Sequence, residues 1–498
     1  MEAFENFRKS GVFQLTPETQ VHGELILNGE KTTLEIFSRQ AISTRAMSDH
    51  SITGVLRDGT KVSLTGCIDH GSGSNSRGSE TFHVASIFPH FVLFGDEHIS
   101  ASDKKIVRIS FLVSDATAIF YDFDAFGSVY QAKEVVAEIT KSKEESGRPV
   151  VFGESPMVFY FNGRHQIASV ETVVGTVSIG HSLNVHSPGP TGISVANKTF
   201  VTVVFPKPAA ISGAIDVAQS LMRFLDVIAG RPQRILRLIF DVSADPQKPK
   251  ELDVYWSMFV KHESGSERLQ PADLPIRAAQ QPRQFESVLK EWLQRNEAWR
   301  SARFRFASSY EHQNSFTIER LVGAANMFDI LPASAVPSLT VLPEDVAEAA
   351  RICRKAFENV ADGPERQSIL GALGRLKKVG LRLKILGRAK VLTDLLPGRL
   401  QELDFVIKEA VSCRNYFVHG SKSRIDYERN FDPVIFFTET LEFVFAASDL
   451  VECGWDIEEW WTRSSSLSHP FARYRDSYSA ALTGLKQELT ASETSKQA

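Results

Sequence analysis

The first half of the chain alternates hydrophobic and polar residues at the spacing of β-strands. Segments 21–27, 33–37 and 51–56 are short, and Asn28-Gly29 and Asp58-Gly59 beside them are typical hairpin turns. The Gly- and Ser-rich stretch 71–79 has no face to bury and predicts a flexible loop. Further elements are predicted as strands at 61–64, 83–94, 107–113, 158–161, 169–179, 200–205, 233–240 and 251–260, and as helices at 130–141 and 211–229. This pattern predicts an antiparallel sandwich or barrel.

The second half has apolar residues at helical spacing. Helices are predicted at 285–306, 317–331, 343–360, 365–396 with a break near Gly380 or Gly387, 399–419, 432–454 and 475–489. The chain therefore reads as a multidomain α+β protein, a β-rich half followed by an all-α bundle. The predicted parts are a β-rich domain at 1–205, a helix and strands completing it at 206–262, a polar linker at 263–283, a helical domain at 284–490 and a disordered tail at 491–498.

The helix predicted at 399–419 carries a cation on its apolar face. Its stripe consists of Leu400, Leu403, Ile407, Ala410 and Phe417, with Glu402, Lys408 and Glu409 on the exposed side. Arg414 falls on the stripe, where an unpaired guanidinium costs several kcal/mol. His419 is roughly 140° around an ideal helix from Arg414. Because Gly420 ends the helix, His419 can turn back toward Arg414.

The sequence Arg414-Asn415-x-x-x-His419 resembles the signature of HEPN domains. Four to six residues separate an arginine from a histidine at five places, and this one alone ends a patterned helix with Asn directly after the arginine. The resemblance implies an all-helical homodimer that is a metal-independent ribonuclease without a cofactor. The β-rich front half resembles the ApeA-like branch, which implies anti-phage defence by cleavage of transfer RNA anticodon loops. A phage protein is the implied trigger. The two-part architecture suggests, as a hypothesis, that the β-rich half is its sensor.

Metal-free RNA cleavage needs a base for the ribose 2′-OH, an acid for the leaving 5′-oxygen and a cation for the phosphorane. Histidine suits the first two roles and arginine the third. The resemblance implies that two chains bring two His419 and two Arg414 to one cleft. The expected products are a 2′,3′-cyclic phosphate and a 5′-hydroxyl, with Asn415 orienting the site. The residues alone leave open a buried ion pair for Arg414 and a helix cap for His419.

Basic residues cluster just before this helix in a chain whose formal net charge is −4. They suggest a surface that follows RNA phosphates, although a solvated helix face explains them equally well. Tyr416 is a candidate for stacking on a base, against the alternative that it only packs beside Phe417. The predicted basic contacts are Lys377, Lys378, Arg382, Lys384, Arg388 and Lys390, and a weaker group is Arg295, Arg300, Arg303 and Arg305.

Composition and residue spacing argue against several other kinds of site and protein. The four cysteines lie far apart, which predicts neither a disulfide framework nor a zinc site and fits a reducing cytoplasm. We expect no signal peptide and no membrane span. His165, His181 and His186 lack ligand spacing, and Asp122 with Asp124 reads as a solvated strand edge. Two rival functions stay open, namely a non-catalytic dimeric scaffold that binds RNA or protein, and a carbohydrate-binding β-sandwich fused to helices.

Overall fold

The computed structural model describes residues 7–16, 18–39, 51–186, 190, 192–245, 247–257, 268–312, 315–338, 342–376 and 378–497. The chain forms two compact units. The first consists of Met1–Ala229 with Gln233–Leu293, and the second of Gly230–Pro232 with Gln294–Ala498. None of the helices in the described ranges is both long enough and apolar enough to cross a membrane.

The first unit is built mainly of strands. They are β1 (Arg8–Thr16), β2 (Thr19–Ile26), β3 (Thr33–Ser38), β4 (Ile52–Leu56), β5 (Lys61–Arg77), β6 (Glu80–Gly95), β7 (Ile106–Val113), β8 (Phe126–Tyr130), β9 (Met157–Phe161), β10 (Gln166–Thr172), β11 (Gly175–His186), β12 (Ser194–Ala209), β13 (Ile235–Asp241) and β14 (Glu251–Trp256). Its helices are α1 (Ala116–Ile119), α2 (Lys133–Glu145), α3 (Ile211–Ala229) and α4 (Pro282–Gln294).

Six of these strands close into an antiparallel barrel. Strands β1, β2, β3, β6, β5 and β4 pair in that order, and β4 pairs back with β1. Phe13, Leu25, Leu34 and Val62 are among its fully buried interior residues. Beyond the residues that pair with β3, the same edge of β6 pairs with β14 at residues 91–94. From β14 the sheet continues through β13, β7, β12, β11 and β10. The predicted β-rich half is confirmed, and its closed part is a barrel.

The stretch 71–79 is not the flexible loop that its composition predicts. Strand β5 continues to Arg77 and pairs with β6 as far as Arg77↔Glu80, so only Gly78 and Ser79 form the turn. Both faces of this hairpin end are exposed to solvent. The segment therefore has no buried face, and the alternation that usually reveals a strand is absent.

The sequence predicts a polar linker at 263–283. The structure describes residues 268–281 of it, and these pack into the first unit. Leu269, Leu274 and Ile276 are at most 2 % exposed, and Pro271–Asp273 makes a short 3₁₀ turn. Helix α4 belongs to this unit except for its last residue, whereas its sequence places it with the helical domain. The predicted linker residues 263–267 and the end of the predicted strand at 258–260 lie outside the described residues.

The second unit consists of helices in its described part. They are α5 (Asn296–Tyr310), α6 (Ile318–Asp329), α7 (Glu344–Glu358), α8 (Pro364–Arg375), α9 (Leu381–Thr393), α10 (Leu403–His419), α11 (Asp432–Glu452), α12 (Ile457–Thr462) and α13 (Pro470–Gln497). The break predicted within 365–396 lies at Gly380, just before α9 begins. Gly387 lies inside α9, next to Pro337. Helix α13 runs through the tail that was predicted to be disordered as far as Gln497.

Helix α11 is buried along most of its length and organises the helices around it. Its carboxylates pair with arginines from neighbouring helices: Arg320 of α6 binds Glu442, with Nη2 2.7 Å from Oε2, and Arg388 of α9 binds Glu452. Helix α10 packs against α6, α9 and α11. These ion pairs therefore join α6 and α9, two of the helices that pack against α10, to α11.

Candidate active site

Helix α10 buries one face and ends at His419. Leu403, Val406, Ile407, Ala410 and Cys413 recur at helical spacing and are at most 2 % exposed. Gly420 follows in the left-handed conformation with φ 65°, and its N–H donates to the Tyr416 carbonyl at 3.0 Å. A glycine adopts this conformation without the strain that a Cβ brings, so the helix stops there.

The polar face of α10 differs from its prediction at one residue. Glu409, expected on the exposed side, is 5 % exposed and accepts from Arg424 Nη2 at 3.4 Å. Lys408 and Glu402 are exposed, as their spacing predicts. The helix also begins at Leu403, not near Arg399, because Glu402 adopts φ 55°.

Arg414 and His419 meet at the end of this helix. Arg414 Nη1 lies 3.0 Å from His419 Nε2. Because a guanidinium can only donate, Nε2 is the acceptor and carries no proton in this arrangement. Arg414 is half-buried and His419 is exposed. The two side chains expected to approach each other do so at a place open to solvent.

Two asparagine amides complete the surroundings of Arg414. Nη1 also donates to Asn415 Oδ1 at 3.1 Å, and Nη2 donates to Asn326 Oδ1 of α6 at 3.2 Å. Arg414 Nε is buried and has no hydrogen-bond partner among the described residues. Sequence reasoning missed Asn326, which lies 88 residues before Arg414. The available signal was a polar residue inside the apolar run Ala324-Ala325-Asn326-Met327-Phe328.

The side chains flanking Arg414 and Asn415 are packed. The Tyr416 ring is half-buried, with its centroid 5.0 Å from that of Phe417 and 5.5 Å from that of Tyr427. Burial raises the pKa of the Cys413 thiol to about 12, so this cysteine stays protonated at neutral pH. Burial also raises the pKa of Tyr427. Neither Cys413 nor Tyr427 therefore changes its charge near neutral pH.

Both units match models of one protein family. The model described as ApeA N-terminal domain 1 matches residues 8–292, more than half of the chain, and that described as Apea-like HEPN matches residues 322–459. The chain belongs to the ApeA-like HEPN family. The resemblance carried by Arg414, Asn415 and His419 is confirmed at this level. No curated protein and no solved structure gives a significant match.

The HEPN match spans α7 to α11 and most of α6, so it contains Asn326 as well as Arg414 and His419. It also spans the predicted basic contacts, where the structure requires a correction. Arg388 is 1 % exposed, its Nε donates to Ser448 Oγ at 3.0 Å and its Nη1 binds Glu452. A cation held in this way inside the HEPN bundle cannot reach RNA.

The other predicted basic contacts divide by exposure. Lys378 and Arg382 are exposed, with no ion pair among the described residues. Lys390 is exposed but binds Asp394 at 2.7 Å, and Lys384 Nζ donates to the Asp329 carbonyl at 2.8 Å. Lys377 lies outside the described residues. Lys378 and Arg382 are thus the best-placed candidates for phosphate contacts.

The weaker arginine group is also partly structural. Arg303 is 1 % exposed and binds Asp449, and Arg295 binds Glu452 and lies over the Trp299 ring, 4.7 Å from its centroid. Arg300 and Arg305 are exposed. The buried Arg303–Asp449 ion pair joins α5 to α11. Arg303 is therefore removed from the candidate RNA contacts.

In the β-rich unit Asp122 is not part of the solvated strand edge that its sequence predicts, because its side chain is buried beside Arg164 and His181. Asp122 Oδ2 accepts from Arg164 Nη2 at 2.6 Å and lies 3.8 Å from His181 Nε2. Both Asp122 and His181 side chains are 3 % exposed. Across the described ranges, no three or more His, Cys, Asp or Glu residues are grouped so that they could hold a metal ion.

Proposed function

We propose that this ApeA-like HEPN chain is an endoribonuclease that cuts RNA without a metal ion. The observation that supports the proposal best is the 3.0 Å contact between Arg414 Nη1 and His419 Nε2 at an exposed helix end. It places a proton acceptor and a permanent cation side by side, as attack of a ribose 2′-OH on its own phosphate requires. The pair lies within residues 322–459, which match the Apea-like HEPN model.

In the proposed reaction, neutral His419 takes the 2′-OH proton through Nε2. The 2′-oxygen forms a bond to phosphorus, and the bond to the 5′-oxygen breaks. Arg414 stabilises the phosphorane charge through its N–H donors, which fit phosphate oxygens. The leaving 5′-oxygen needs a proton from an acid, which we assign to His419 of a second copy in a homodimer. The products are a 2′,3′-cyclic phosphate and a 5′-hydroxyl.

The proposed substrate is a transfer RNA anticodon loop. Unpaired bases in such loops are splayed, and their backbone can follow a basic surface. Lys378 and Arg382, exposed near α9, are the proposed phosphate contacts, and α9 packs against α10. Cleavage there would stop translation, the expected outcome of a cytoplasmic anti-phage defence. The β-rich unit is the proposed sensor of a phage protein.

The test is to map RNA ends in cells after phage challenge, comparing wild type with His419→Ala at equal expression. The proposal expects new cyclic-phosphate ends in transfer RNA in wild type alone, together with protection from the phage. Protection that survives in His419→Ala without new ends would support the non-catalytic scaffold instead. Deleting the β-rich unit should abolish the response to phage; a retained response contradicts its sensor role.

A further inference from the structure

Three acceptors surround the Arg414 guanidinium, and they differ in one respect. The oxygens of Asn326 and Asn415 accept hydrogen bonds at any pH near neutrality, since amides do not titrate there. His419 Nε2 accepts only while it carries no proton. The first two contacts are permanent, and the third depends on the protonation state of the histidine.

This difference has a consequence for the reaction, which rests on the proposed function above. When His419 takes the 2′-OH proton, Nε2 becomes a donor and the ring becomes a cation. The contact with Arg414 Nη1 must then break, and the two positive groups repel each other. This happens when the phosphorane charge develops and the guanidinium is needed most.

We propose that Asn326 is a positioning residue that holds the Arg414 guanidinium in place once His419 is protonated. Asn415 neighbours Arg414 on α10, and its oxygen shares Nη1 with the histidine. Asn326 instead binds the other terminal nitrogen, Nη2, from a separate helix. It therefore anchors the guanidinium from outside α10.

The helix that carries Asn326 is itself firmly held. Six residues earlier, Arg320 binds Glu442 of α11 through Nε at 2.9 Å and Nη2 at 2.7 Å, with both side chains at most 7 % exposed. Thr317 caps the start of α6 by accepting from Arg320 N. The helix that presents Asn326 is thus held in place independently of α10, as the support of a residue that orients a cation has to be.

The test compares the full-length variants Asn326→Ala and Asn326→Asp with wild type on an RNA that wild type cuts, measuring kcat, KM and the melting temperature. Asn430→Ala is the matched control, because Asn430 is also half-buried and donates to Glu488 Oε2 at 3.1 Å. We expect Asn326→Ala to lower kcat about tenfold, with KM changed less than about twofold. Asn430→Ala should leave kcat unchanged.

Asn326→Asp separates positioning from packing. Aspartate has the shape and the acceptor of asparagine, so a merely structural residue would tolerate it. Its negative charge would pair with the Arg414 guanidinium and compete with the phosphate for it, and we therefore expect kcat to fall at least tenfold with an unchanged or higher melting temperature. A kcat that stays at the wild-type value in both Asn326 variants overturns the inference. Wild-type cleavage that does not need His419 would instead contradict the proposed function.

Discussion

The Arg303 guanidinium and the Asp449 carboxylate form a buried ion pair joined by two hydrogen bonds. Nε lies 2.8 Å from Oδ2 and Nη2 lies 3.1 Å from Oδ1, and the two side chains are 1 % and 0 % exposed. The pair joins α5 to α11, the helix against which α10 also packs. Arg303, which the sequence suggests as an RNA contact, thus stabilises the packing of the helices around the candidate site.

Removing one partner of this pair should be costly. Arg303→Ala leaves the Asp449 carboxylate buried without its main partner, and we expect the free energy of unfolding to fall by about 3–5 kcal/mol. Urea unfolding of the purified chain measures this. Arg305→Ala, on the exposed side of the same helix, should change it by about 0.5 kcal/mol or less. Equal losses in the two variants would mean that the pair contributes little.

The exposed basic residues near α9 should contribute to RNA affinity, and the buried one should not. We expect Lys378→Glu with Arg382→Glu to weaken RNA binding about tenfold or more and to reduce the salt dependence of the binding constant. Filter binding at several salt concentrations checks both effects. The control is Arg388→Gln, which should lower the melting temperature while leaving the affinity of the folded protein unchanged. An affinity that does not respond to the double variant places the RNA elsewhere.

Local patterns were sufficient to predict most elements, but not the pairings made at a distance. The strands at 33–37 and 83–94 are visible as alternating runs. The pairing of β5 with β6 at 71–76 is not, because those residues are exposed on both faces. The end of α10 followed from Gly420 and its apolar stripe. Its start did not, because Glu402 adopts φ 55°, which nothing in its residue type requires.

Only those residues of the candidate site that lie close together in the sequence could be predicted. Arg414, Asn415 and His419 share one helix end, so spacing and a glycine indicate their proximity. Asn326 comes from another helix, and its contact depends on how α6 packs on α10. The burial of Arg388 likewise depends on Glu452, which lies 64 residues away. A count of basic residues in the sequence therefore overestimates how many of them are available as candidate RNA contacts.

Glu439 should make stability depend on pH. It lines a cavity of ≈ 100 Å³, and burial, with a smaller effect of Glu442, raises its pKa above the ordinary 4.5. The folded state therefore binds this proton more tightly than the unfolded chain, and stability is lost as pH rises through the raised pKa. We expect Glu439→Gln to be more stable than wild type at pH 7.

The advantage of Glu439→Gln should shrink as the pH falls and be smallest below about 4.5, where both the folded and the unfolded chain hold the proton. Urea unfolding at several pH values gives the difference directly. Glu428→Gln removes one charge from an exposed position and controls for net charge. A difference that stays constant with pH, or a less stable Glu439→Gln at pH 7, contradicts this assignment.

Gly420 should be needed for the position of His419. At φ 65° an added Cβ is strained, so Gly420→Ala should cost about 1–2 kcal/mol and lower RNA cleavage by moving the helix end. Thermal unfolding and cleavage assays measure the two effects. Gly484→Ala is the matched control, because this position of α13 has open space around it and should become more stable by about 0.5–1 kcal/mol. Effects of the same sign at both glycines would show that the Gly420 conformation is not the cause.

The most direct test of the Arg414–His419 site uses purified wild type, Arg414→Ala and His419→Ala with transfer RNA, mapping both ends at each cut. We predict discrete 2′,3′-cyclic phosphate and 5′-hydroxyl ends with wild type, and a rate at least about 100-fold lower in either variant. A single 2′-deoxy nucleotide at the cut position should block wild type as well. Cleavage by His419→Ala at the wild-type rate, or ends carrying a 3′-hydroxyl and a 5′-phosphate, would contradict this account.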